Sequence, residues 1–425
     1  MAKNNYRVAV ILITSLFFLW GFAHNMNPIL IPHLKKACQL NNLQSALVDS
    51  AFYVGYFVMA LPAGYYMKKY GYKGGIITGL LLFALGAFLF YPAAEMRAFG
   101  MFLGALFIIA CGLTFLETAA NPYITVLGPP DTATQRLNFS QSFNGLAATL
   151  APFVGGLFIL SGRALSDEQK SLMSQEQLDV YLREEASSVK LPYILIGLTV
   201  LLVSFLLART KLPEIKEDDH SPGAVSGSVF REKNLVWGVV AQFFYVGAQV
   251  CVGSFFIRFA GSVAGIEEKT AAMYLSGALL AFMVGRFLGT FLMKFIAPWV
   301  LLLLYSIFNV ALLLMAVRVS GHLAVYCLIG VQFFMSIMFP TIFSLGIRGL
   351  GAKTKEGSSL LVMSIVGGAI LPVIMGRISD VSSVQISYVV PAGCFLFVTY
   401  FAWRQSLKSN VNLPKTEIVA VPKLN

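Results

Sequence analysis

The sequence predicts an all-α membrane protein of about twelve transmembrane helices. Hydrophobic residues make up 57% of the 425 residues, charged residues only 12%, and the mean hydropathy is +0.75. A soluble domain carries about 25% charged residues. Apolar runs close to the roughly 20 residues that cross a bilayer core recur along the chain, as at 8–23, 75–91, 191–207 and 299–317. These observations place the chain in a lipid bilayer and exclude a soluble fold.

Twelve spans divide the apolar sequence, and we number them in chain order. They lie at 8–34, 44–66, 75–92, 98–127, 138–161, 190–208, 234–260, 270–292, 298–317, 321–346, 357–376 and 384–403. Each is long and apolar enough to cross the hydrocarbon core as a helix. An even number of spans returns the chain to its starting side, so both termini are expected on the same side of the membrane.

The distribution of basic residues predicts which side that is. The formal net charge is +11, but the lysines and arginines form short clusters between apolar runs, which argues against nucleic acid as a partner. Most lie at the termini and in the even-numbered connections, such as Lys68, Lys69 and Lys73 after span 2 and Arg348 and Lys353 after span 10. Cytoplasmic connections carry such an excess. We therefore expect a multi-pass protein of the bacterial inner membrane with both termini in the cytoplasm.

A polar segment separates two halves of six spans each. Residues 209–233 are rich in acidic and small polar residues and form the longest connection on the expected cytoplasmic side. We predict an N-terminal six-helix bundle at 1–208, a cytoplasmic linker at 209–233, and a C-terminal six-helix bundle with a cytoplasmic tail at 234–425.

The two halves show a weak internal repeat. Segments 121–128 at the end of span 4 and 339–346 at the end of span 10 both read x-Pro-x-Ile-x-x-Leu-Gly. The Pro-x-x-x-Gly of 152–156 in span 5 recurs at 372–376 in span 11. Six helices per repeat give both halves the same orientation, which is the parallel repeat of the major facilitator fold. In that fold the substrate site lies midway between the halves, and rocking of the halves gives alternating access.

One carboxyl group stands well inside a predicted span. Glu117 in span 4 shares a helix face with Asn121, just before Pro122. A carboxylate buried in a bilayer costs about 2.5–3.5 kcal/mol, so a group that is alternately hydrated and dry would take up and release a proton. The alternative is a protonated glutamate bonded permanently to a neighbouring helix. His24 and Asp49 are further candidates for proton coupling, although a packing histidine and a hydrated outer aspartate are the simpler interpretations.

Amide side chains lie at similar depth in several spans. Amides donate and accept hydrogen bonds without carrying charge, so a cavity lined by them and by aromatic rings suits a neutral, hydroxyl-rich solute. The candidates for substrate binding are Asn25, Asn27, Asn121, Gln141, Asn144, Gln242, Tyr245 and Gln249, together with Glu117. The alternative is that such amides only tie helices together, at about 0.6 kcal/mol each.

Several segments resemble the fucose:proton symporters of the major facilitator superfamily. They are the Phe-Phe-Leu-Trp-Gly of 17–21, residues 50–57, the Leu-Glu-Thr-Ala-Ala-Asn-Pro of 116–122, the Gly-Arg-Phe of 285–287, and residues 340–346. The likeness covers nearly the whole chain. It implies the major facilitator fold and transport of L-fucose, glucose, galactose or a related sugar.

The resemblance also implies roles for single residues. Glu117 corresponds to a glutamate of that family implicated in sugar binding and coupling, and pocket amides correspond to Asn25, Gln141 and Asn144. Pro28 stands where the family carries an aspartate, so coupling rests on Glu117 alone, moves to His24 or Asp49, uses sodium, or is lost. Phe339 stands where a tyrosine is expected, and the missing hydroxyl bears on which sugar is chosen.

The sequence therefore predicts a secondary active transporter that imports a hexose-type sugar by alternating access, with proton coupling through Glu117. A sodium-coupled or uncoupled sugar facilitator, a channel and a non-transporting sugar sensor remain alternatives. Enzyme motifs and a nucleotide-binding loop are missing from the sequence, and the four histidines and five cysteines lack metal-ligand spacing, so neither catalysis nor a cofactor is expected. The expected partners are a sugar, a proton or sodium ion and the lipid bilayer, and we expect a monomer.

Overall fold

The computed structural model describes residues 3–40, 42–159, 173–210, 212 and 228–411. Most of the predicted linker at 209–233 and most of the predicted cytoplasmic tail lie outside these described residues. The described residues form α-helices joined by turns and short 3₁₀ segments. The protein is a multi-pass helical membrane protein, as its sequence predicts.

The helices follow the predicted spans closely. The first six spans are formed by Lys3–His24 and Asn27–Ala37 (span 1), Asn42–Met96 (spans 2 and 3), Phe99–Val126 (span 4), Ala133–Ile159 (span 5) and Lys190–Arg209 (span 6). The last six are formed by Lys233–Ser254 and Phe256–Ala264 (span 7), Glu268–Leu292 (span 8), Pro298–Arg318 (span 9), His322–Met335 and Met338–Ile347 (span 10), Thr354–Met363 and Gly367–Val381 (span 11), and Val389–Val411 (span 12).

Short elements complete the described chain. They are the helices Gln175–Ser187 and Val384–Ser387 and the 3₁₀ segments Pro130–Thr132, Val229–Arg231, Gly351–Lys353 and Ser364–Val366.

Nine helical segments of the described residues are long and apolar enough to cross a membrane. One of them, Ser50–Met96, contains both span 2 and span 3, so the nine segments account for ten spans. The apolar helix Val10–His24 accounts for span 1, and the helix Ala133–Ile159 accounts for span 5. The predicted all-helical fold of twelve spans is thereby confirmed.

The structure corrects the predicted spans at several points. Residues 67–74, predicted as a connection, are helical apart from Gly71, whose φ of 71° is a left-handed conformation that glycine adopts without steric cost. Spans 1, 7, 10 and 11 are each formed by two helices rather than one. In span 1 the second helix begins at Asn27 with a proline in its first turn, where a missing backbone donor is tolerated.

A further helix, Gln175–Ser187, lies in a segment predicted to be a polar loop. Its start is fixed by a reciprocal capping arrangement in which Ser174 and Gln177 each accept a backbone hydrogen bond. Ion pairs hold the helix against the membrane spans, because Glu185 contacts Lys36 at 2.9 Å, and Asp179 accepts from Arg97 at 2.5 Å. This helix covers the ends of spans 1 and 3.

Contacts between the segments that connect successive spans define the two ends of the helical bundle. At one end, which we call the inner end, Lys73 donates to the carbonyl oxygens of Ala208 and Thr210, and Lys353 pairs with Glu232 at 3.0 Å. A 760 Å³ cavity at this end is lined by the connections after spans 4, 8 and 10 and by the start of span 7. The helix Gln175–Ser187 lies at the opposite, outer end. The inner end thus gathers the connections predicted to be cytoplasmic.

Spans 3 and 4 approach each other at a pair of glycines. A Cβ at Gly112 would lie 2.6 Å from the Gly79 carbonyl oxygen and 2.6 Å from the Phe83 amide nitrogen. Such backbone-to-backbone packing is available only to very small residues. The close approach packs span 4, which carries Glu117, directly against span 3.

We expect Gly112→Ala to destabilise the protein, because neither contacting backbone can move away without separating the two spans. Overpacking of this kind costs about 1–3 kcal/mol. The measurement is the thermal unfolding midpoint in detergent. Gly104→Ala is the matched control, since a Cβ there has open space around it and alanine favours the helix by about 1 kcal/mol over glycine. An unfolding midpoint that is equal in both variants would contradict the expectation.

Candidate functional site

The candidate site is centred on Glu117, which is 8% exposed in the middle of span 4. Its Oε1 atom accepts a hydrogen bond of 2.8 Å from the hydroxyl of Tyr56 in span 2. Tyr56 is itself buried, and its ring packs against Phe52 at a centroid distance of 5.5 Å. Among the described residues Glu117 is therefore held by one donor, and that donor comes from its own half of the protein.

The second carboxyl oxygen of Glu117 has no hydrogen-bond partner in the described residues. The side-chain nitrogen of Asn121, one helical turn further on, lacks one as well. The other end of the Asn121 amide accepts a bond of 3.1 Å from Nε2 of Gln141 in span 5. Buried polar atoms without partners are costly, and in a binding site they are the atoms that a ligand or water satisfies. Three of the predicted residues thus lie together and offer an unused acceptor and an unused donor.

An arginine of the C-terminal half touches this cluster. Arg286 in span 8 is 4% exposed, and its Nη1 donates to the backbone oxygen of Gln141 at 2.8 Å. Its Nε donates to the backbone oxygen of Ser336, at the break in span 10, at 2.7 Å. The guanidinium also lies 4.5 Å above the ring of Phe282. The two halves therefore meet at Gln141.

The predicted residues of spans 7 and 10 lie within the C-terminal half. Gln242 is completely buried, and neither atom of its amide has a hydrogen-bond partner among the described residues. Tyr245 donates to the backbone oxygen of Met335 at 3.0 Å, beside the break in span 10. Phe339 is half-buried, with its ring 6.5 Å from that of Tyr245, and Gln249 is half-buried two turns from Gln242. Gln242 is thus an amide of this half whose hydrogen-bonding capacity is unused among the described residues.

The remaining candidates lie along span 1 and the middle of span 5. Asn25 donates to the backbone oxygen of Gly21 at 2.7 Å, and Asn144 packs directly on Gly21, where a Cβ would lie 2.8 Å from its amide. The His24 ring lies 5.0 Å from the ring of Phe52, which is a packing contact. The side chains of the other two candidates, Asn27 and Asp49, lie outside the described residues.

Two direct side-chain bonds close the bundle between the site and the inner end. Oγ1 of Thr134 and Oγ of Ser344 lie 2.9 Å apart, and Asn138 donates to Oγ1 of Thr341 at 3.1 Å. All four side chains are buried, and each pair joins span 5 of one half to span 10 of the other. We call these four residues the span 5–span 10 closure.

Further contacts at the inner end support this closure. Lys68, after span 2, forms an ion pair with Glu356 in span 11. Gly64 lies so close to Ser359 that a Cβ there would be 2.0 Å from the serine oxygen. In this structure the halves are in contact from the site to the inner end.

A bundle of membrane-spanning helices with carboxyl, amide and guanidinium groups at its centre is typical of a membrane transporter. A model of the Major Facilitator Superfamily matches residues 12–363, and the chain belongs to this superfamily. The resemblance to the fucose:proton symporters inferred from the sequence is confirmed by individual relatives.

Two curated relatives match nearly the full length. The L-fucose-proton symporter of Escherichia coli (strain K12) is 45% identical over 409 residues, which cover 94% of this chain and 93% of the relative. The glucose/galactose transporter of Brucella abortus biovar 1 (strain 9-941) is 40% identical over 403 residues, covering 94% of each. A solved structure of the Major Facilitator Superfamily transporter FucP in the outward conformation superposes with a TM-score of 0.87 at 44% identity, covering 94% of this chain and 99% of that one.

Proposed function

We propose that this protein is a proton-coupled sugar symporter that imports a hexose of the L-fucose, glucose or galactose class. The observation that carries the proposal is the buried carboxyl of Glu117, with one oxygen bonded to Tyr56 and the other without a partner beside the Asn121–Gln141 amide pair. A carboxyl so placed can bind a proton and can accept from a sugar hydroxyl, which is the combination that symport requires.

The names of the relatives support the substrate class. One relative is an L-fucose-proton symporter and another is a glucose/galactose transporter. All three sugars present several hydroxyl groups, each of which donates and accepts hydrogen bonds. The unused atoms of Glu117, Asn121 and Gln242 supply both acceptors and donors, and they come from both halves of the protein. A sugar bound between them would satisfy these atoms and join the halves.

Transport would proceed by rocking of the N-terminal bundle, 1–208, against the C-terminal bundle, which begins at 234. The span 5–span 10 closure opens and closes the inner end, and the basic connections gathered there would face the cytoplasm. This sidedness supports the proposal that both termini lie in the cytoplasm, and the bacterial relatives support the inner membrane of a bacterium as the location. Import then means binding at the outer end and release at the inner end.

The direct test is uptake into proteoliposomes with a panel of hexoses, under imposed proton and sodium gradients in separate assays. We expect accumulation of L-fucose, glucose or galactose when the proton gradient is directed inward, and no accumulation with the sodium gradient. Accumulation driven by the sodium gradient alone would show that the coupling ion is sodium and not the proton. Equilibration without accumulation under either gradient would mean a facilitator, and a lack of any sugar exchange would overturn the transporter function.

An uncoupled facilitator is the second candidate, and one observation favours it. Pro28 stands in span 1, where the resemblance to the fucose:proton symporters implies an aspartate. Because proline cannot hold a proton, the coupling in this chain would rest on Glu117. The gradient experiment separates the two candidates, since only a symporter concentrates its sugar.

We expect Tyr56→Phe to lower uphill sugar accumulation by about tenfold, because a hydrogen bond to a charged group contributes about 1.5–3 kcal/mol. The substitution removes the one donor to Glu117 among the described residues and leaves the aromatic packing in place. Tyr65→Phe is the matched control, since that side chain is 67% exposed. Equal accumulation by both variants would show that the Tyr56 hydroxyl has no part in coupling.

A further inference from the structure

Arg286 is a buried cation whose described contacts are two backbone oxygens and the face of the Phe282 ring, without a carboxylate. Its Nε and Nη1 atoms donate to two backbone oxygens, those of Ser336 and Gln141, at 2.7 and 2.8 Å. In the part of the chain that the structure describes, no aspartate or glutamate oxygen pairs with it. Two carbonyl oxygens can be satisfied by a neutral amide, and a cation inside a bilayer is costly and ordinarily marks a functional pathway. The charge therefore needs a further explanation.

A buried carboxyl group that lacks a cationic partner among the described residues lies in the opposite half. Glu117 has one donor, Tyr56, and its second oxygen has no partner among the described residues. When this carboxyl is neutral, that arrangement is tolerable. Once the proton has left, the same site holds an anion with a single neutral donor, which is unfavourable in a low-dielectric interior. An anion is thus expected at this site in one part of the transport cycle.

A short chain of contacts joins the two groups. Arg286 holds the backbone of Gln141, the side chain of Gln141 donates to Asn121, and Asn121 lies one helical turn from Glu117. The packing also keeps Arg286 facing span 5. Behind it, span 8 packs against span 10 so closely that a Cβ at Gly285 would lie 2.5 Å from the backbone oxygen of Phe333. Any change in how the halves meet therefore changes the separation of the cation and the carboxyl.

We propose that Arg286 is the countercharge of Glu117 in the empty, deprotonated carrier. The inference rests on the proposed function and adds to it the group that makes the return step possible. With sugar and proton bound, Glu117 is neutral and Arg286 is held by the two carbonyl oxygens. When the sugar leaves and the proton passes from the carboxyl to water at the inner end, the remaining carboxylate attracts the guanidinium across the interface between the halves. The attraction stabilises the empty carrier while it reorients.

The test compares two assays on the same proteoliposomes, uphill sugar accumulation driven by a proton gradient and counterflow of labelled sugar. Counterflow uses the loaded, protonated carrier alone, whereas accumulation also requires the empty carrier to return. We expect Arg286→Gln to lower the ratio of accumulation to counterflow by at least about tenfold, since an opposite charge displaces the protonation equilibrium of a carboxyl by one to three powers of ten. Arg286→Lys, which keeps the charge but loses the planar fork, should recover most of that ratio.

Two further variants separate this role from simple hydrogen bonding. In the Glu117→Gln background, where no carboxylate forms, adding Arg286→Gln should not lower counterflow further. Arg258→Gln is the matched control at the outer end, where the guanidinium lies over the ring of Phe255, and it should leave both assays unchanged.

Each outcome decides the inference. If Arg286→Gln and Arg286→Lys lower accumulation and counterflow by the same factor, Arg286 has only a structural role and the inference is wrong. The same conclusion holds if Arg286→Gln accumulates sugar normally. Should Arg286→Gln fail to fold, the Arg286→Lys variant decides the matter alone. A ratio of accumulation to counterflow equal to that of the unmodified protein, with counterflow unchanged, supports the countercharge. An equal fractional loss in both assays overturns it. Failure of the unmodified protein to accumulate sugar would instead reject the proposed function.

Discussion

Glu117→Gln is expected to abolish uphill sugar accumulation while sugar exchange across the membrane continues. Glutamine keeps the size of the side chain and its capacity to bond Tyr56, but it cannot bind and release a proton. The empty carrier then no longer depends on deprotonation, and the proton gradient has no means of driving the sugar. The internal sugar concentration should rise only to the external concentration.

The size of the effect follows from the driving force. Moving one charge inward releases about 2.3 kcal/mol for each 100 mV of membrane potential, which corresponds to about a fiftyfold concentration ratio. Glu117→Gln should bring this ratio to one in proteoliposomes with an imposed potential. Glu268→Gln is the matched control, because that carboxyl is exposed at the start of span 8 and should leave the ratio unchanged. If the Glu117→Gln protein still concentrates sugar, Glu117 has no part in the coupling mechanism.

Cross-linking the span 5–span 10 closure is expected to stop transport completely. The Oγ atoms of Thr134 and Ser344 are 2.9 Å apart, so cysteine sulfurs at these positions lie close enough to form a disulfide after a small adjustment. The bond would fix the halves in contact at the inner end, and the sugar could not leave. Uptake by the oxidised Thr134→Cys, Ser344→Cys variant should fall to the level of empty liposomes and return after reduction.

The native cysteines permit a clean version of this experiment. Four of the five are buried, and Cys38 is half-buried, so the pair is best introduced together with Cys38→Ser. The two single cysteine variants are the controls, and oxidation should leave their uptake unchanged. Full uptake by the oxidised double variant, with the cross-link verified by mass spectrometry, would show that this closure does not open during transport.

The sequence was sufficient for the fold because bilayer crossing leaves a clear hydrophobic signal. It did not reveal the break at Phe255, since no proline lies near it. The break at Ser336 lies four residues before Pro340, and the break in span 1 lies just before Pro28. The helix Gln175–Ser187 was missed because it is polar and short. Its capping residues, Ser174 and Gln177, are the signal that would have indicated it.

The candidate site was predictable only in part. Glu117 was evident because an acidic residue inside an apolar span is conspicuous, and its pairing with Asn121 follows from helical spacing. Tyr56 was missed because its contact with Glu117 joins residues 61 positions apart, and a tyrosine in a span is unremarkable by itself. The contact of Arg286 with Gln141 spans 145 positions and depends on how the halves meet. Such contacts depend on tertiary packing, which cannot be predicted from the spacing of residues along the sequence.

The central claim is that sugar binds at the carboxyl that also carries the proton. A structure with the transported sugar bound tests it most directly. We predict sugar hydroxyls within hydrogen-bond distance of the Glu117 carboxyl and of the side-chain nitrogen of Asn121, with Gln242 approaching the sugar from the opposite half. A sugar bound elsewhere, with the second oxygen of Glu117 still facing no ligand, would contradict the claim.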